Sequence, residues 1–329
     1  MLGFIVLIIV LIIFLLVTLS PLESLSWWAG WNRLDSPEQT RNALFEILKN
    51  PPTEAPEGVE QFVIFMTGIG GYAQDSFLPE ERLFMDKLIA AMPNIKLVDD
   101  VYPYAATARS LGEGARFDRF WRYAVDQKAQ RSIVGFTVNL RNLMQVLVAA
   151  DPRYGQIYSR GISNILLQAL HRHGYPFGSG MPVTLIGYSG GGEMSTSSIA
   201  VLNRALQAPI RVISLGGVMG NDPAIAEVDH FYHIYGDKDT VQIAGPILFP
   251  GRWRVAIFSR WNKARKDGTI SYVRMGDMVH NGPGGYLDHE NFLPDGRSYI
   301  DFTVDTMTTL ITAYPDIIPE DKIGAATLQ

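Results

Sequence analysis

The chain predicts an α/β fold, a mostly parallel sheet with helices on both faces, preceded by one apolar N-terminal helix. Three observations carry this expectation. From residue 61 onward, short apolar runs alternate with stretches of helical length and amphipathic pattern. Those runs are apolar throughout, as strands covered on both faces must be. Before them, Leu2 to Leu19 is almost wholly aliphatic or Phe, and no charged side chain precedes Glu23.

The elements follow in order. About 20 apolar residues in a helix span a hydrocarbon core of roughly 30 Å, so residues 1–22 read as a single-pass membrane anchor. A cleaved signal is the alternative. It lacks support because the leading residues carry no Lys or Arg and SPLESLS is a poor cleavage site. WWAGW at residues 27–31 suits the headgroup level. The nearest cation is Arg33, so the flanks do not set an orientation. Residues 23–58 read as a juxtamembrane helix and a Pro-rich linker. Ser36 caps that helix, Gln39 completes the capping-box spacing, and PPTEAPEG follows.

The main domain, residues 59–320, opens with the strand QFVIFMTG (61–68). A helix around Glu81–Met92 follows, then a second strand in NIKLVDDVYPY. A helix at 161–174 leads to the strand PVTLIGYS and the helix GGEMSTSSIAVLNRAL. PIRVISLGG, HFYHIYGD and ISYVRMGD supply three more strands, and SYIDFTVDTMTTLITAY closes the domain as a helix. Residues 109–158 break this alternation and read as an insertion. It is expected either to cap the site, with Phe117, Phe120, Trp121 and Leu143 lining an acyl pocket, or to pack as an ordinary helix pair in the core.

Composition narrows the function. The 329 residues are 47% hydrophobic with a net charge of −5, and no dense Lys/Arg tract suggests a nucleic-acid partner. With no cysteine, disulfides, thiolate metal sites and a cysteine nucleophile are excluded.

Gly187-Tyr188-Ser189-Gly190-Gly191 fits G-x-S-x-G, with a strand before it and a helix after it. A strand that turns sharply into a helix drives the serine to positive φ, so its neighbours must be small. The turn lifts the hydroxyl clear of the sheet and leaves the Gly190 amide at the positive end of the new helix. On these residues the chain, over roughly 60–315, resembles the α/β-hydrolase superfamily of serine esterases, lipases and thioesterases.

That resemblance implies the catalytic order serine, acid, histidine. Gly236-Asp237-Lys238-Asp239 is similar to the family's G-x-x-D, which implies Asp239 as the acid, with Asp237 as the fallback. His280, in a Gly-rich loop after the last strand, is the implied base, and His289 competes with it. His171 and His173 sit at a helix end, and His230 and His233 lie in a strand. FMTGIGGYAQ occupies the place of the family's oxyanion loop, with Thr67 where a His is usual. The second donor is then the Ile69 amide, or that of Gly70 if the loop is shifted.

The same Gly68-x-Gly70-x-x-Ala73 also fits a dinucleotide fingerprint, with Asp99 or Asp100 ending the next strand. That motif needs a helix to start at once, and here Pro79 and DSFLPEE delay it. The expectation is therefore a membrane-anchored serine hydrolase cleaving lipid or small-molecule esters or thioesters without metal or organic cofactor. A non-catalytic scaffold or binding module on the membrane is the alternative.

Overall fold

The structure, a computed structural model of the full chain, describes residues 2–19, 22, 42, 45–47, 49–74, 76–105, 118–128, 132–151 and 154–313. WWAGW, most of the helix expected at 36–50, and Phe117 lie outside the described residues.

The apolar leader forms α1 (Leu2–Leu19), 18 residues long. At 1.5 Å per residue that is about 27 Å, against a hydrocarbon core of about 30 Å. Within it Gly3–Leu15 is a continuous apolar helical stretch, shorter than a full span.

The domain is built on one sheet of six parallel strands. They are β1 (Gln61–Met66), β2 (Ile95–Val98), β3 (Val183–Tyr188), β4 (Ile210–Leu215), β5 (His230–Tyr235) and β6 (Ile270–Arg274), in the order β2-β1-β3-β4-β5-β6. Between β1 and β2 lies α2 (Pro79–Ala91); α3 (Asp118–Lys128), α4 (Ile133–Ala150) and α5 (Gly155–Arg172) separate β2 from β3. α6 (Gly191–Leu206) follows β3, α7 (Ala244–Leu248) and α8 (Arg260–Lys266) follow β5, and α9 (Tyr299–Thr312) ends the described fold.

Successive residues of a strand face opposite sides, and here both sides are covered. Phe62, Ile64 and Met66 join a core with residues of α5 and α6, including Leu166 and Leu202. Val63 and Phe65 join a second core with α2 and α9, including Phe84 and Leu310.

The expected elements form, with shifted bounds. β2 stops at Val98 because the next residues turn outward, where Asp99 meets Arg82 and Asp100 meets Arg172 and His173. α5 starts at Gly155, inside the region expected to be insertion. The insertion proper is the α3–α4 pair, and α1 lies against α4. Trp121 is fully buried between α3 and α4, packed with Ala124, Val138 and Phe120. The Arg141 guanidinium covers its ring at 5.6 Å. Trp121 thus belongs to the insertion's own small core.

Buried Arg211 of β4 ties the sheet to α9. Its guanidinium donates to Leu310 O at 2.8 Å and Ile311 O at 2.9 Å, carbonyls that a helix end leaves without partners. Arg211→Met should therefore destabilise the domain by roughly 2–4 kcal/mol, because two buried carbonyls lose their donor. Thermal unfolding measures this, and an unchanged melting temperature would show that water replaces the guanidinium.

Candidate active site

The turn from β3 into α6 is sterically forced. Ser189 has φ 54, one of two non-glycine residues with positive φ among those described. A Cβ at Gly187 would lie 2.5 Å from Gly191 O and from Ser195 Oγ. A Cβ at Gly191 would collide with Met66 O and lie 2.8 Å from Thr67 O. Only glycine fits at these two positions, and their closeness brings the end of β1 against the serine turn. The Ser189 amide donates to Leu215 O at 3.0 Å, while its carbonyl accepts from Gly192 N and Val218 N. Ser189 is thus held by backbone on both sides, with 8% of its surface exposed.

Asp239 and His280 are brought together. His280 Nδ1 lies 2.9 Å from Asp239 Oδ2, and both residues are buried. The same oxygen accepts from the Tyr286 hydroxyl at 2.7 Å, and Oδ1 accepts from the amides of Val241 and Gln242. Burial alone would raise the Asp239 pKa. The hydrogen bonds from His280, Tyr286 and the backbone, with the imidazole's charge, outweigh it and leave the carboxyl below its ordinary value.

The imidazole is fixed from two further directions. The Tyr188 ring stacks on it at 5.4 Å, and the Tyr286 ring meets it edge-on at 6.1 Å. The Tyr188 hydroxyl donates to His280 O at 3.0 Å and also bonds Asn281 Oδ1. Gly282 and Gly284, at φ 73 and 77, let this loop fold back over the sheet edge. Ser189 stands next to Tyr188 on the same rim, and no hydrogen bond joins its Oγ to the imidazole among the described residues.

The competing residues are elsewhere. Asp237 is exposed and paired with Arg274, whose Nε donates to its two carboxylate oxygens at 2.8 and 2.9 Å and whose Nη2 also donates to Oδ2. His289 is exposed on the loop surface. His173 faces Asp100 at 3.0 Å, and the His171 ring is tilted against Phe177. His230 is 3.0 Å from Ser271 Oγ, and burial lowers its pKa to about 4. Burial lowers that of His233 to about 3, so both strand histidines are neutral near pH 7.

The loop 67–71 lies directly against the serine turn. A Cβ at Gly68 would be 3.2 Å from Ser189 Cβ, and one at Gly190 would be 2.7 Å from Ile69 Cγ2. Gly68 N donates to Glu81 and Gly71 N to Gly68 O, whereas the Ile69 and Gly70 amides have no partner among the described residues. The Thr67 hydroxyl bonds the Glu81 carboxylate at 2.7 and 2.9 Å. Glu81 also accepts from Leu78 N at the start of α2. Burial, the largest influence, holds the Glu81 pKa above its usual value.

Sequence reasoning missed how the insertion grips this loop. Asn142 of α4 donates to Ile69 O at 2.8 Å and to Gly71 O at 2.7 Å. Lys128 of α3 bonds Gly70 O and Asn139 Oδ1, and burial pulls its pKa down to about 8. Val146 of α4 also approaches the serine turn, its Cγ2 lying 3.0 Å from a Cβ placed at Gly190. The expected cap residues Phe120 and Trp121 pack inward instead. Tyr188, Tyr286, Asn142 and Lys128 carry no motif, and the distance of Asn142 and Lys128 along the chain from the loop hid their roles.

Against the dinucleotide alternative, the helix after the Gly68–Ala73 loop starts only at Pro79. Among the described residues, no group of three or more His, Asp or Glu is placed to hold a metal ion. No protein-family model matches the chain, and no curated protein matches it.

One acid behind the serine is unusual. Glu193, in the first turn of α6, is fully buried and accepts from Gly220 N at 2.6 Å, while Oε1 has no hydrogen bond. Burial, with Asp222's charge adding to it, raises its pKa to about 8 from 4.5. The folded chain therefore holds a proton that the unfolded chain gives up above pH 4.5. The resulting stability is complete below that pH and lost as pH rises through about 8. Melting temperature should fall across this window, and Glu193→Gln should flatten the fall. An unchanged slope in the Gln variant would assign the effect to other groups.

Proposed function

We propose that the protein is a membrane-tethered serine hydrolase that cleaves esters or thioesters through an acyl-enzyme. The observation that carries this reading is the meeting, on one rim of the sheet, of a strained Ser189 and a buried Asp239–His280 pair.

The Asp239 carboxylate only accepts hydrogen bonds, so His280 Nδ1 carries the proton and Nε2 keeps a lone pair. Nε2 takes the Ser189 proton as Oγ attacks the substrate carbonyl. The amides of Gly190 and of Ile69 or Gly70 hold the oxyanion, and the imidazolium then gives its proton to the leaving group. Water repeats the sequence, releasing the acid and restoring Ser189. Asp239 orients the ring and stabilises its cation without taking the proton. Apart from substrate and water, this mechanism draws on no group outside the chain.

An active-site fluorophosphonate probe tests the reading, with labelling of the wild type and none of Ser189→Ala expected. Failure to label the wild type would favour a non-catalytic scaffold. Asp239→Asn should remain folded and lose roughly 10³–10⁴-fold in ester hydrolysis. Asp237→Asn and His289→Ala should retain most activity. Loss confined to either of these two would move the assignment to them.

The tether in this reading is α1, an uncharged helix close to the thickness of a hydrocarbon core. The bilayer it enters makes lipid esters the leading substrate class. Alkaline carbonate should leave the full-length chain in the membrane fraction, and its release would remove the tether from this reading.

A further inference from the structure

Outside the site and α1, the exposed large apolar side chains of the described residues are densest in one segment. Residues 241–258 expose eight large ones, with Ile247 at 69%, Val255 at 80%, Ile257 at 63% and Phe258 at 83%. The segment begins where the amides of Val241 and Gln242 bind Asp239, so it leaves from the rim that holds the site. α4 extends this surface. Its inner face carries buried Arg141, Asn142 and Gln145, while Ile133 and Phe136 point outward at 82% and 62% exposure. The two parts adjoin at Gly220, where a Cβ would touch Ala150 at the end of α4 and Phe249 of the segment.

The charge pattern identifies the occupant. From Thr240 to Lys266 the sequence holds six Lys or Arg and no Asp or Glu, in a chain of net charge −5. Arg252 is turned inward over the Trp261 ring at 4.1 Å, and the other five cations are exposed. Exposed apolar side chains followed along the chain by a cation-rich, acid-free stretch match a bilayer with anionic headgroups, where apolar side chains enter the acyl boundary and cations meet lipid phosphates. A second copy of the chain would set like charges against each other on this face. We propose that residues 241–258 and the outer face of α4 form a membrane-docking surface, which lays the Ser189 rim on the bilayer entered by α1. The inference rests on the tether reading, and α1 already lies against α4.

The cysteine-free chain permits a direct test. Single substitutions Phe136→Cys, Ile247→Cys and Ile257→Cys would carry an environment-sensitive fluorophore in the full-length protein. Leu11→Cys in α1 and Ile89→Cys on α2 serve as references. The protein is reconstituted in phosphatidylcholine vesicles containing phosphatidylserine. Quenching by acyl-chain nitroxides is then compared with quenching by aqueous iodide. Positions 136, 247 and 257 should follow Leu11, with lipid quenching several-fold the stronger, and Ile89 should show the reverse. Removing phosphatidylserine should shift the three toward iodide. Iodide dominance at the three with Leu11 still in lipid would overturn the docking surface and leave the tether intact. Iodide dominance at Leu11 as well would overturn both. Shielding from both quenchers would mean that protein covers the face, and would overturn the bilayer as its occupant.

Discussion

The arrangement of the site depends on how closely the end of β1 approaches the first turn of α6. At Gly191 the gap is too small for a methyl group, because Met66 O and Thr67 O already fill it. That contact sets the loop 67–71 against Ser189 before any side chain takes part. It also explains the strain at Ser189, since the chain must reverse within one residue to start the helix there. The strain persists because backbone hydrogen bonds to β4 and to the loop after it hold both peptide groups of the serine.

Around this contact, three buried acids show how partners rather than depth decide charge. Asp239, Glu81 and Glu193 are all buried, and burial pushes each of them upward. Asp239 gathers an imidazole, a phenol and two amides, and its carboxyl ends below its ordinary value. Glu81 receives Thr67, Gly68 and Leu78, and remains raised. Glu193 accepts one backbone amide on Oε2 and has none on Oε1, and its pKa rises to about 8. The anion next to the histidine is the one the fold has supplied most fully with donors.

Much of this was legible in the sequence. Continuous apolar runs gave the six strands, because parallel strands buried on both faces leave no polar alternation to misread. G-x-S-x-G was legible because its glycines answer a steric demand that is local to the motif. The Asp239–His280 contact was foreshadowed only through the resemblance, by G-x-x-D and the Gly-rich loop after the last strand, since Asp237 follows its strand end even more closely. The inside-out character of α4 was not. Periodicity shows that Ile133, Phe136 and Leu140 share a face, but not whether that face points to the core or away from it. Asn142, with its polar side chain buried against a distant loop, reads in sequence as an ordinary surface residue. The start of α5 was set too late because Gly155 and Gly161 resemble breaks in a helical pattern, whereas packing on α6 carries the helix through. β2 was drawn too long because Tyr102 and Tyr104 look like strand residues, although they are buried as part of a turn.

The hydrogen bonds of the site also fix an order in time. Loop 67–71 is gripped by Asn142, more than seventy residues further along, and Tyr188 reaches 92 residues ahead to His280. Asp239 is complete only when Tyr286, 47 residues later, is present. A chain leaving the ribosome therefore exposes its Ser189 turn well before Asp239, His280 or their aromatic supports exist. Contacts this distant close late and slowly, because chain entropy must be surrendered before they repay it. The half-made chain thus emerges without the assembled site, which forms as one of the last acts of folding.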